Sequence, residues 1–284
     1  MSKVKKILDE QGTLVMPGVY DSLSAKIAER AGFSVMFTTG YGIAATLLGE
    51  PDFGLLTQTE MLNTAYRICG AVETPILVDS DTGYGNATNA ARTVTELLRA
   101  GAAGMFLEDQ VWPKRCGHLA GKQVIPLDEY LKKLGAAIDA RGDSDLFITA
   151  RTDSRQVHGL AEAIRRGVAF KEAGADAVFV EAPETAAEMR EIARNVPGPL
   201  VANMVEREVT PLMTRAELEE LGFALILWPV GPLFAAANAL KSYYGQLHSN
   251  GTAKGSLDQV MSFDEFTDIV GLEAWSALDA KWGS

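Results

Sequence analysis

The chain contains little cysteine and histidine, and neither follows a metal-binding pattern. Two cysteines, Cys69 and Cys116, and three histidines occur among 284 residues. Two cysteines do not make a disulfide framework, which favours a reducing compartment, and we expect a cytoplasmic protein. No second Cys/His pair at ligand spacing is present, and this argues against a zinc site.

Long hydrophobic runs and an excess of positive charge are also missing. No apolar run approaches the roughly 18 residues that a membrane helix needs, and "MSKVKKILDEQG" lacks the apolar core of a signal peptide. Lys and Arg number 26 against 37 Asp and Glu, which gives a net charge of −11. Because nucleic-acid binding requires clustered cations, neither a nucleic acid nor a membrane is expected as a partner. An anionic substrate stays compatible, since a metal ion or a few local cations can dominate the field of a site.

A helix-like segment, a glycine turn and a short apolar run recur along the chain. Examples are "AERAGFSVMFTTG", "LLRAGAAGMFLED", "FKEAGADAVFVEAP" and "LEELGFALILWP". The glycine fits a helix C-cap, and apolar runs without alternation are typical of parallel strands buried on both faces. Eight strands are predicted, at 14–18, 35–39, 76–80, 104–108, 147–151, 178–182, 200–204 and 225–229.

Eight strand–helix repeats predict an α/β protein with a (β/α)₈ barrel of the TIM type, and an open doubly wound sheet is the alternative. No linker rich in Ser, Gly or Pro divides the chain, so residues 1–284 are predicted to form one domain. Residues 250–284 are predicted to be a helical C-terminal extension. Its aromatic residues would pack on the chain's own barrel or on a partner subunit.

Polar side chains are concentrated where the predicted strands end. In a (β/α)₈ barrel these ends meet at one face and hold the catalytic groups. The acids among them would repel one another unless a cation lay between them, and carboxylates without Cys or His favour a hard ion such as Mg²⁺. These residues are Thr38, Thr39, Gly40, Tyr41, Asp79, Asp81, Glu108, Asp109, Arg151, Asp153, Glu181 and Asn203.

Arg151 carries a planar fork that suits a carboxylate or a phosphate. With a metal ion and the backbone amides near Thr39 and Gly40, it predicts a site for an α-keto or α-hydroxy acid whose oxygen becomes anionic. A structural ion pair is the alternative for Arg151. For Asp79 or Asp81 taken alone, a helix cap is the alternative.

Cys116 lies in "PKRCGH", among Lys114, Arg115 and His118. Neighbouring cations favour a thiolate, and Gly117 adds backbone freedom. The pattern predicts a reactive thiol rather than an incidental loop cysteine. Cys69, in the apolar "YRICGAV", is predicted to belong to the core.

At these residues the chain resembles the isocitrate lyase / phosphoenolpyruvate mutase superfamily, from "PGVYDSLSAKIAERAGF" to "MSFDEFTDIVGLE". "LEDQVWPKRCGH" is typical of the carbon–carbon lyase branch, and "VDSDTGYGN", "ARTD" and "VANMVE" agree with it. The resemblance implies a (β/α)₈ barrel whose eighth helix is exchanged between subunits. It also implies a homotetramer formed as a dimer of these helix-swapped dimers.

The same resemblance implies a site for Mg²⁺, with Mn²⁺ as a substitute. Asp79 would hold the ion directly, while Asp52, Asp81 and Glu108 would act mostly through waters. The implied catalytic residues are Cys116, Arg151, Glu108 and His118. The implied substrate-binding residues are Thr39, Gly40, Tyr41, Asp79, Gly117, Arg151, Glu181 and Asn203.

The activity that the resemblance implies is the cleavage of a 2-hydroxy dicarboxylate or tricarboxylate into pyruvate, or a similar keto acid, and a carboxylate. This is the chemistry of an oxo-acid lyase. A base would take the 2-hydroxyl proton, the metal would stabilise the alkoxide, and Cys116 would protonate the carbanion. The loop from Trp112 to Lys122 would close over the substrate.

Two departures from methylisocitrate lyases matter, one for the substrate and one for a proton transfer that a Phe side chain does not support. Phe234 stands where those enzymes carry an Arg that binds a further carboxylate, and Phe37 stands where they carry a Tyr. An apolar Phe234 favours a methyl-bearing dicarboxylate such as 2,3-dimethylmalate.

Two alternatives stay open. One is a phosphonomutase of the carboxyphosphonoenolpyruvate type, whose members also carry "KRCGH". The other is an oxaloacetate hydrolase or decarboxylase, which the loop Val230-Gly231-Pro232 disfavours because it lacks a Ser.

Overall fold

The structure is a computed structural model that describes residues 2–117 and 121–283. Eight parallel strands follow one another around a closed barrel in chain order, and the last pairs with the first. The predicted (β/α)₈ barrel is therefore confirmed, and the open sheet is excluded. The strands are β1 (Leu14–Val19), β2 (Met36–Thr38), β3 (Ile76–Asp79), β4 (Gly104–Glu108), β5 (Phe147–Thr152), β6 (Ala177–Val180), β7 (Leu200–Asn203) and β8 (Leu225–Trp228).

Helices connect the strands and continue after the last one. A π-helical turn, Ala44–Leu48, follows α3, and a 3₁₀ helix, Lys254–Gln259, precedes α12. The α-helices are α1 (Lys3–Gln11), α2 (Ser22–Arg30), α3 (Gly40–Ile43), α4 (Gln58–Cys69), α5 (Ala87–Ala100), α6 (Leu127–Arg141), α7 (Ser154–His158), α8 (Leu160–Glu172), α9 (Ala186–Asn195), α10 (Arg215–Leu221), α11 (Gly231–Asn250), α12 (Phe263–Val270) and α13 (Leu272–Trp282).

Local capping explains where these helices begin and end. The Asn86 side chain accepts from the backbone N–H groups of Thr88 and Asn89 and so starts α5. Gly101, with φ 82°, ends that helix, and Gly222, with φ 100°, ends α10. Both glycines occupy the left-handed region, as the recurring glycine pattern predicted.

The core has two layers. Inside the barrel, Phe106 packs with Phe37 and Phe179, and their ring centroids lie 5.8 and 6.3 Å apart. Val4 and Leu8 of α1 belong to the same cluster and close the barrel at the N-terminal ends of the strands. A larger cluster between the strands and the surrounding helices forms the outer layer. Because the interior is filled, any cavity must lie at an end of the barrel.

By contact the chain divides into two compact units, 1–231 and 232–284. In the second unit, α11, α12 and α13 contain no buried residue. Phe263, Trp275 and Trp282 are 79, 66 and 73% exposed. The domain limits drawn from the sequence stay a prediction. Within the described residues, no helix is both long and apolar enough to cross a membrane.

The outer layer gives a stability prediction. Phe170 is fully buried, and its ring centroid lies 4.3 Å from that of Tyr130. Phe170→Ala should lower the free energy of unfolding by about 3–5 kcal/mol, because it leaves a cavity between α8 and α6. Urea titration would measure the loss, with Tyr66→Ala as the exposed aromatic control. Equal losses in the two variants would contradict this account of the core.

Candidate active site

A cavity of about 70 Å³ lies at the C-terminal end of the barrel. Its floor is apolar and includes the buried rings of Phe37, Phe106 and Phe179. A charge is poorly solvated above such a floor, so the polar groups around it dominate its electrostatics. The polar lining consists of Thr39, Tyr41, Asp52, Asp79, Lys114, Cys116, Gly117, Arg151, Glu181 and Asn203.

Asp79 is fixed by its neighbours on β2 and β3. Its carboxylate accepts from the backbone N–H groups of Gly40 (3.1 Å) and Asp81 (3.2 Å), and its own N–H donates to Thr38 Oγ1 (2.9 Å). A Cβ atom at position 40 would lie 2.8 Å from Asp79 Oδ2, so only glycine permits this approach. The Gly40 amide, predicted from the sequence to bind substrate, therefore donates to Asp79.

Lys114 places a buried cation among the acids. Its Nζ lies 2.7 Å from Asp52 Oδ2 and 2.8 Å from Asp81 Oδ1. Burial alone would lower the pKa of Lys114, but the nearby carboxylates, Asp81 and Asp52 above all, raise it well above its ordinary value. Burial raises the pKa of Asp81 to about 6, and Lys114 opposes that rise. The sequence alone indicates only that Lys114 lies near the thiol of Cys116.

The acids predicted to hold a metal converge at this point. Asp79 and Glu108 also contribute to the field at Lys114. Glu108 Oε1 is buried without a hydrogen-bond partner in the described residues, and burial raises the pKa of Glu108 well above its usual range. No three Asp, Glu, His or Cys side chains in the described part of the chain already stand at metal-binding spacing. The donors are all hard oxygens, which fits Mg²⁺.

Arg151 is held in place from three sides. Its Nε and Nη2 donate to Asp153 at 2.8 and 3.0 Å, its Nη2 lies 3.2 Å from Glu181 Oε2, and its Nε lies 3.3 Å from Glu108 Oε2. A Cβ atom at Gly117 would lie 2.5 Å from Arg151 Nη2, so the backbone there packs directly on the guanidinium. Arg151 is therefore both a structural ion pair and a cation that faces the cavity.

We call residues 110–124, of which 110–117 and 121–124 are described, the cysteine loop. Gln110 and Val124 form an antiparallel bridge at its base, and the Gln110 side chain bonds both backbone groups of Arg115. Cys116 N donates to Asp52 O at 3.2 Å. These bonds position the loop so that Cys116 lines the cavity.

Lys122, near the C-terminal end of the cysteine loop, attaches the loop to the barrel. Lys122 Nζ lies 2.9 Å from Asp153 Oδ1 and also donates to the carbonyl of Gly117. Asp153 has a pKa well below its usual range, because Arg151 and Lys122 outweigh the effect of burial. Neither Asp153 nor Lys122 was among the predicted site residues, although the position of Asp153 at a strand end was a signal.

The structure brings most of the predicted residues together. Asp81 and Glu108 lie behind the lining and are 2 and 3% exposed, and Asn203 Nδ2 donates to Glu181 Oε1 at 3.2 Å. His118 lies outside the described residues, and Phe234 belongs to the second unit. Cys69 packs against the core, where burial raises the pKa of its thiol to about 11. The sequence analysis missed an apolar wall made of Val205, Leu227, Pro229 and Val230.

The barrel and these residues define a family. The chain belongs to the phosphoenolpyruvate mutase / isocitrate lyase superfamily, since the family described as phosphoenolpyruvate phosphomutase matches residues 4–248. The predicted resemblance is confirmed.

Two relatives carry different activities in their names. A chloroplastic carboxyvinyl-carboxyphosphonate phosphorylmutase from Arabidopsis thaliana is 48% identical over 100% of this chain and 85% of its own length. The 2,3-dimethylmalate lyase of Eubacterium barkeri is 44% identical over 96% of this chain and 94% of its own length. Relatives named as lyases support the prediction that the chain is a carbon–carbon lyase.

Solved structures share the fold over nearly the whole chain. A 2,3-dimethylmalate lyase has a TM-score of 0.92 at 38% identity, covering 98% of this chain and 93% of its own. An oxaloacetate acetylhydrolase bound to 3,3-difluorooxalacetate has a TM-score of 0.93 at 34% identity, with coverages of 98 and 95%. A phosphonopyruvate hydrolase bound to oxalate and Mg²⁺ has a TM-score of 0.89 at 28% identity, and 100% of each chain is covered.

The position of Lys114 gives a prediction about pH. Lys114→Met should cost about 3–5 kcal/mol of unfolding free energy at pH 8, because Asp52 and Asp81 lose their buried cation. The cost should be smaller at pH 5. Because the pKa of Asp81 is raised in the folded state, its burial favours folding below about pH 4, and this advantage is lost as the pH rises through about 6. Without Lys114, the charge of the ionised Asp81 carboxylate loses the cation that offsets it. The fall in unfolding free energy from pH 5 to pH 8 should therefore be larger in Lys114→Met than in the wild type.

Chemical denaturation at both pH values, in EDTA, would measure this difference. Lys132→Met is the control, since the pair of Lys132 with Asp128 is exposed and should be worth little at either pH. A cost for Lys114→Met that does not change with pH would show that Lys114 does not compensate these acids.

Proposed function

We propose that the protein is a Mg²⁺-dependent oxo-acid lyase that cleaves a 2-hydroxy dicarboxylate of the 2-alkylmalate type. The products would be pyruvate or a similar keto acid and a carboxylate. One observation carries the proposal: Arg151, Asp79 and Cys116 face one small cavity that has an apolar floor and wall. That combination provides an anion-binding guanidinium, a metal-binding acid and a proton donor around an apolar fragment.

The substrate's carboxylate end would bind to Arg151, near Thr39 and Tyr41. Because Asp153 and Glu181 already fix the guanidinium, it loses little conformational freedom when an anion binds. Asn203 holds the Glu181 carboxylate in turn. Gly40 and Gly117 would contribute by close backbone approach to Asp79 and Arg151.

Asp79 would hold Mg²⁺ directly, with Asp52, Asp81 and Glu108 around it. When bound, the ion would stabilise negative charge on substrate oxygens, and Mn²⁺ would serve as a substitute. A solved relative contains oxalate and Mg²⁺, which supports Mg²⁺ as the ion. Because Lys114 already binds Asp52 and Asp81, these acids would act on the ion mainly through waters.

Cys116 would act at the second half of the reaction. A general base would take the 2-hydroxyl proton, that oxygen would become a carbonyl as the adjacent C–C bond breaks, and the bond's electrons would stay on the departing carboxylate fragment. The thiol proton of Cys116 would pass to that carbon. Arg151, Glu108 and His118 complete the proposed catalytic set.

The apolar wall distinguishes this function from the alternatives. Leu227 and Val230 face the cavity, and among the described residues of its lining Arg151 is the single arginine. Lys114, which also lines the cavity, is paired with Asp52 and Asp81, so it is the apolar wall that favours an alkyl-bearing substrate. The phosphonomutase stays the second candidate because of the Arabidopsis relative. Val230-Gly231-Pro232 offers no hydroxyl for an oxaloacetate hydrolase.

The proposed assembly is a homotetramer in which α11 is exchanged within each dimer. The exposed aromatic residues of the second unit support it, since large exposed apolar surfaces mark interaction sites. The two cysteines form no disulfide, which supports a cytoplasmic location.

The proposed substrate preference can be tested with a panel of acids. With Mg²⁺, purified protein should form a keto acid from 2,3-dimethylmalate or a close 2-alkylmalate faster than from methylisocitrate or oxaloacetate, because the wall accepts a methyl group. A coupled keto-acid assay over this panel measures the rates. Turnover of methylisocitrate alone would contradict the choice, and turnover of a phosphonate alone would favour the mutase.

The proposed role of Cys116 as proton donor can be tested by substitution. Cys116→Ser should lower kcat by about 10²–10⁴-fold, because a hydroxyl is a poorer acid than a thiol. Calorimetric binding of oxalate with Mg²⁺ should persist, since Arg151 and Asp79 are unchanged. Cys69→Ala is the matched control and should retain wild-type kcat. Wild-type turnover by Cys116→Ser would remove Cys116 from the mechanism.

A further inference from the structure

A buried ion pair lies at the base of the cysteine loop, and neither of its residues has a proposed catalytic role. Arg166 of α8 is 4% exposed and Asp109, the residue after β4, is fully buried. Arg166 Nη1 lies 2.8 Å from Asp109 Oδ2 and donates to the carbonyl of Ile125 at 2.9 Å. One guanidinium nitrogen therefore contacts both ends of the loop, since Asp109 precedes its first residue and Ile125 follows its last.

The backbone closes the loop at the same place. Ile125 N donates to Asp109 O at 2.9 Å, and Val111 N donates to Gln123 O at 2.8 Å. Arg166 also contacts Glu162, one turn earlier on α8, at 2.9 Å. Glu162 thus orients the guanidinium from the side opposite to the loop.

The Asp109 carboxylate reaches from this base to the site. Its Oδ2 accepts from Thr152 Oγ1 at 2.6 Å, and its Oδ1 accepts from Asp153 N at 2.9 Å. Asp153 is the residue whose carboxylate holds both Arg151 and Lys122. Lys122 in turn binds the carbonyl of Gly117, next to Cys116.

We propose that Asp109 and Arg166 are positioning residues that set both the base of the cysteine loop and the Asp153 carboxylate, and thereby the placement of Cys116 relative to Arg151. Neither residue lines the cavity. They would act on the reaction in two ways. Asp109 positions Asp153, which binds Lys122, and Arg166 holds the backbone at the base of the cysteine loop. The expected effect of these residues on turnover rests on the proposed function, whereas their expected effect on the position of the loop does not.

Arg166→Gln is the test variant, because glutamine keeps part of the side-chain volume but loses the charge and the fork. In the native protein, tryptic cleavage after Arg115 should become about tenfold faster, since cleavage follows the population of the opened loop. Turnover of the best 2-alkylmalate should lose about 10²-fold in kcat, because small misplacements of a reacting group are costly. KM should change little, as Glu181 and Glu108 still hold Arg151.

The chain offers a matched control. Arg141 of α6 pairs with Asp176 at 2.7 Å, and Asp176 also accepts from a backbone N–H, that of Ile148, at 2.7 Å. This pair likewise joins a helix to the barrel, but it makes no hydrogen bond or ion pair with the described part of the cysteine loop. Arg141→Gln should lower the urea midpoint while leaving both the cleavage rate after Arg115 and kcat at wild-type values.

A second variant covers the case in which Arg166→Gln does not fold. Asp109→Asn combined with Arg166→Gln removes both charges, so no buried carboxylate is left uncompensated. It should show the same rapid cleavage after Arg115 and the same loss of kcat with KM preserved.

The outcomes separate the two ideas. A wild-type cleavage rate in both Arg166 variants would overturn the positioning role, as would equal cleavage rates in Arg166→Gln and Arg141→Gln. If the wild type turns over none of the panel while cleavage still accelerates in the Arg166 variants, the lyase proposal fails and the loop assignment stands.

Discussion

The constraint on which this site depends is the compensation of buried carboxylates at the barrel mouth. Glu108, Asp81 and Asp153 are each at most 3% exposed, and charges at such depth are retained only when a cation or hydrogen bonds accompany them. Lys114 and Lys122 supply two of the cations, and both belong to the cysteine loop. The loop therefore folds onto the barrel by neutralising its acids, and the same contacts place Cys116 at the cavity.

In the proposed function, this arrangement would let a chain with net charge −11 bind an anionic substrate. The overall charge is spread over a solvated surface, where salt screens it within about 10 Å. Inside the cavity the floor is aromatic, and the fixed Arg151 guanidinium lines the same space. Local geometry, rather than net charge, thus decides which ions bind.

In the proposed function, the acids and Arg151 would bind the metal ion and the carboxylate, whereas the wall would limit the choice of substrate. Relatives named as a phosphorylmutase and as a lyase are 48 and 44% identical to this chain. In the proposed reaction, the wall residues, including Val205 and Leu227, are part of the apolar lining that would contact the alkyl group of the substrate. A methylene or methyl group in an apolar pocket changes binding by about 1–3 kcal/mol, which is enough to select among 2-alkylmalates.

The sequence by itself determined the barrel, because buried parallel strands and helix-ending glycines are local signals that repeat along the chain. It also located Asp79 and Arg151, since strand ends meet at one face of a barrel. Only the tertiary structure decided that Lys114 lies between Asp52 and Asp81 and that Arg166 joins the two ends of the cysteine loop. These partners are separated by as many as 62 residues, and the direction of a loop side chain follows from packing rather than from any local period.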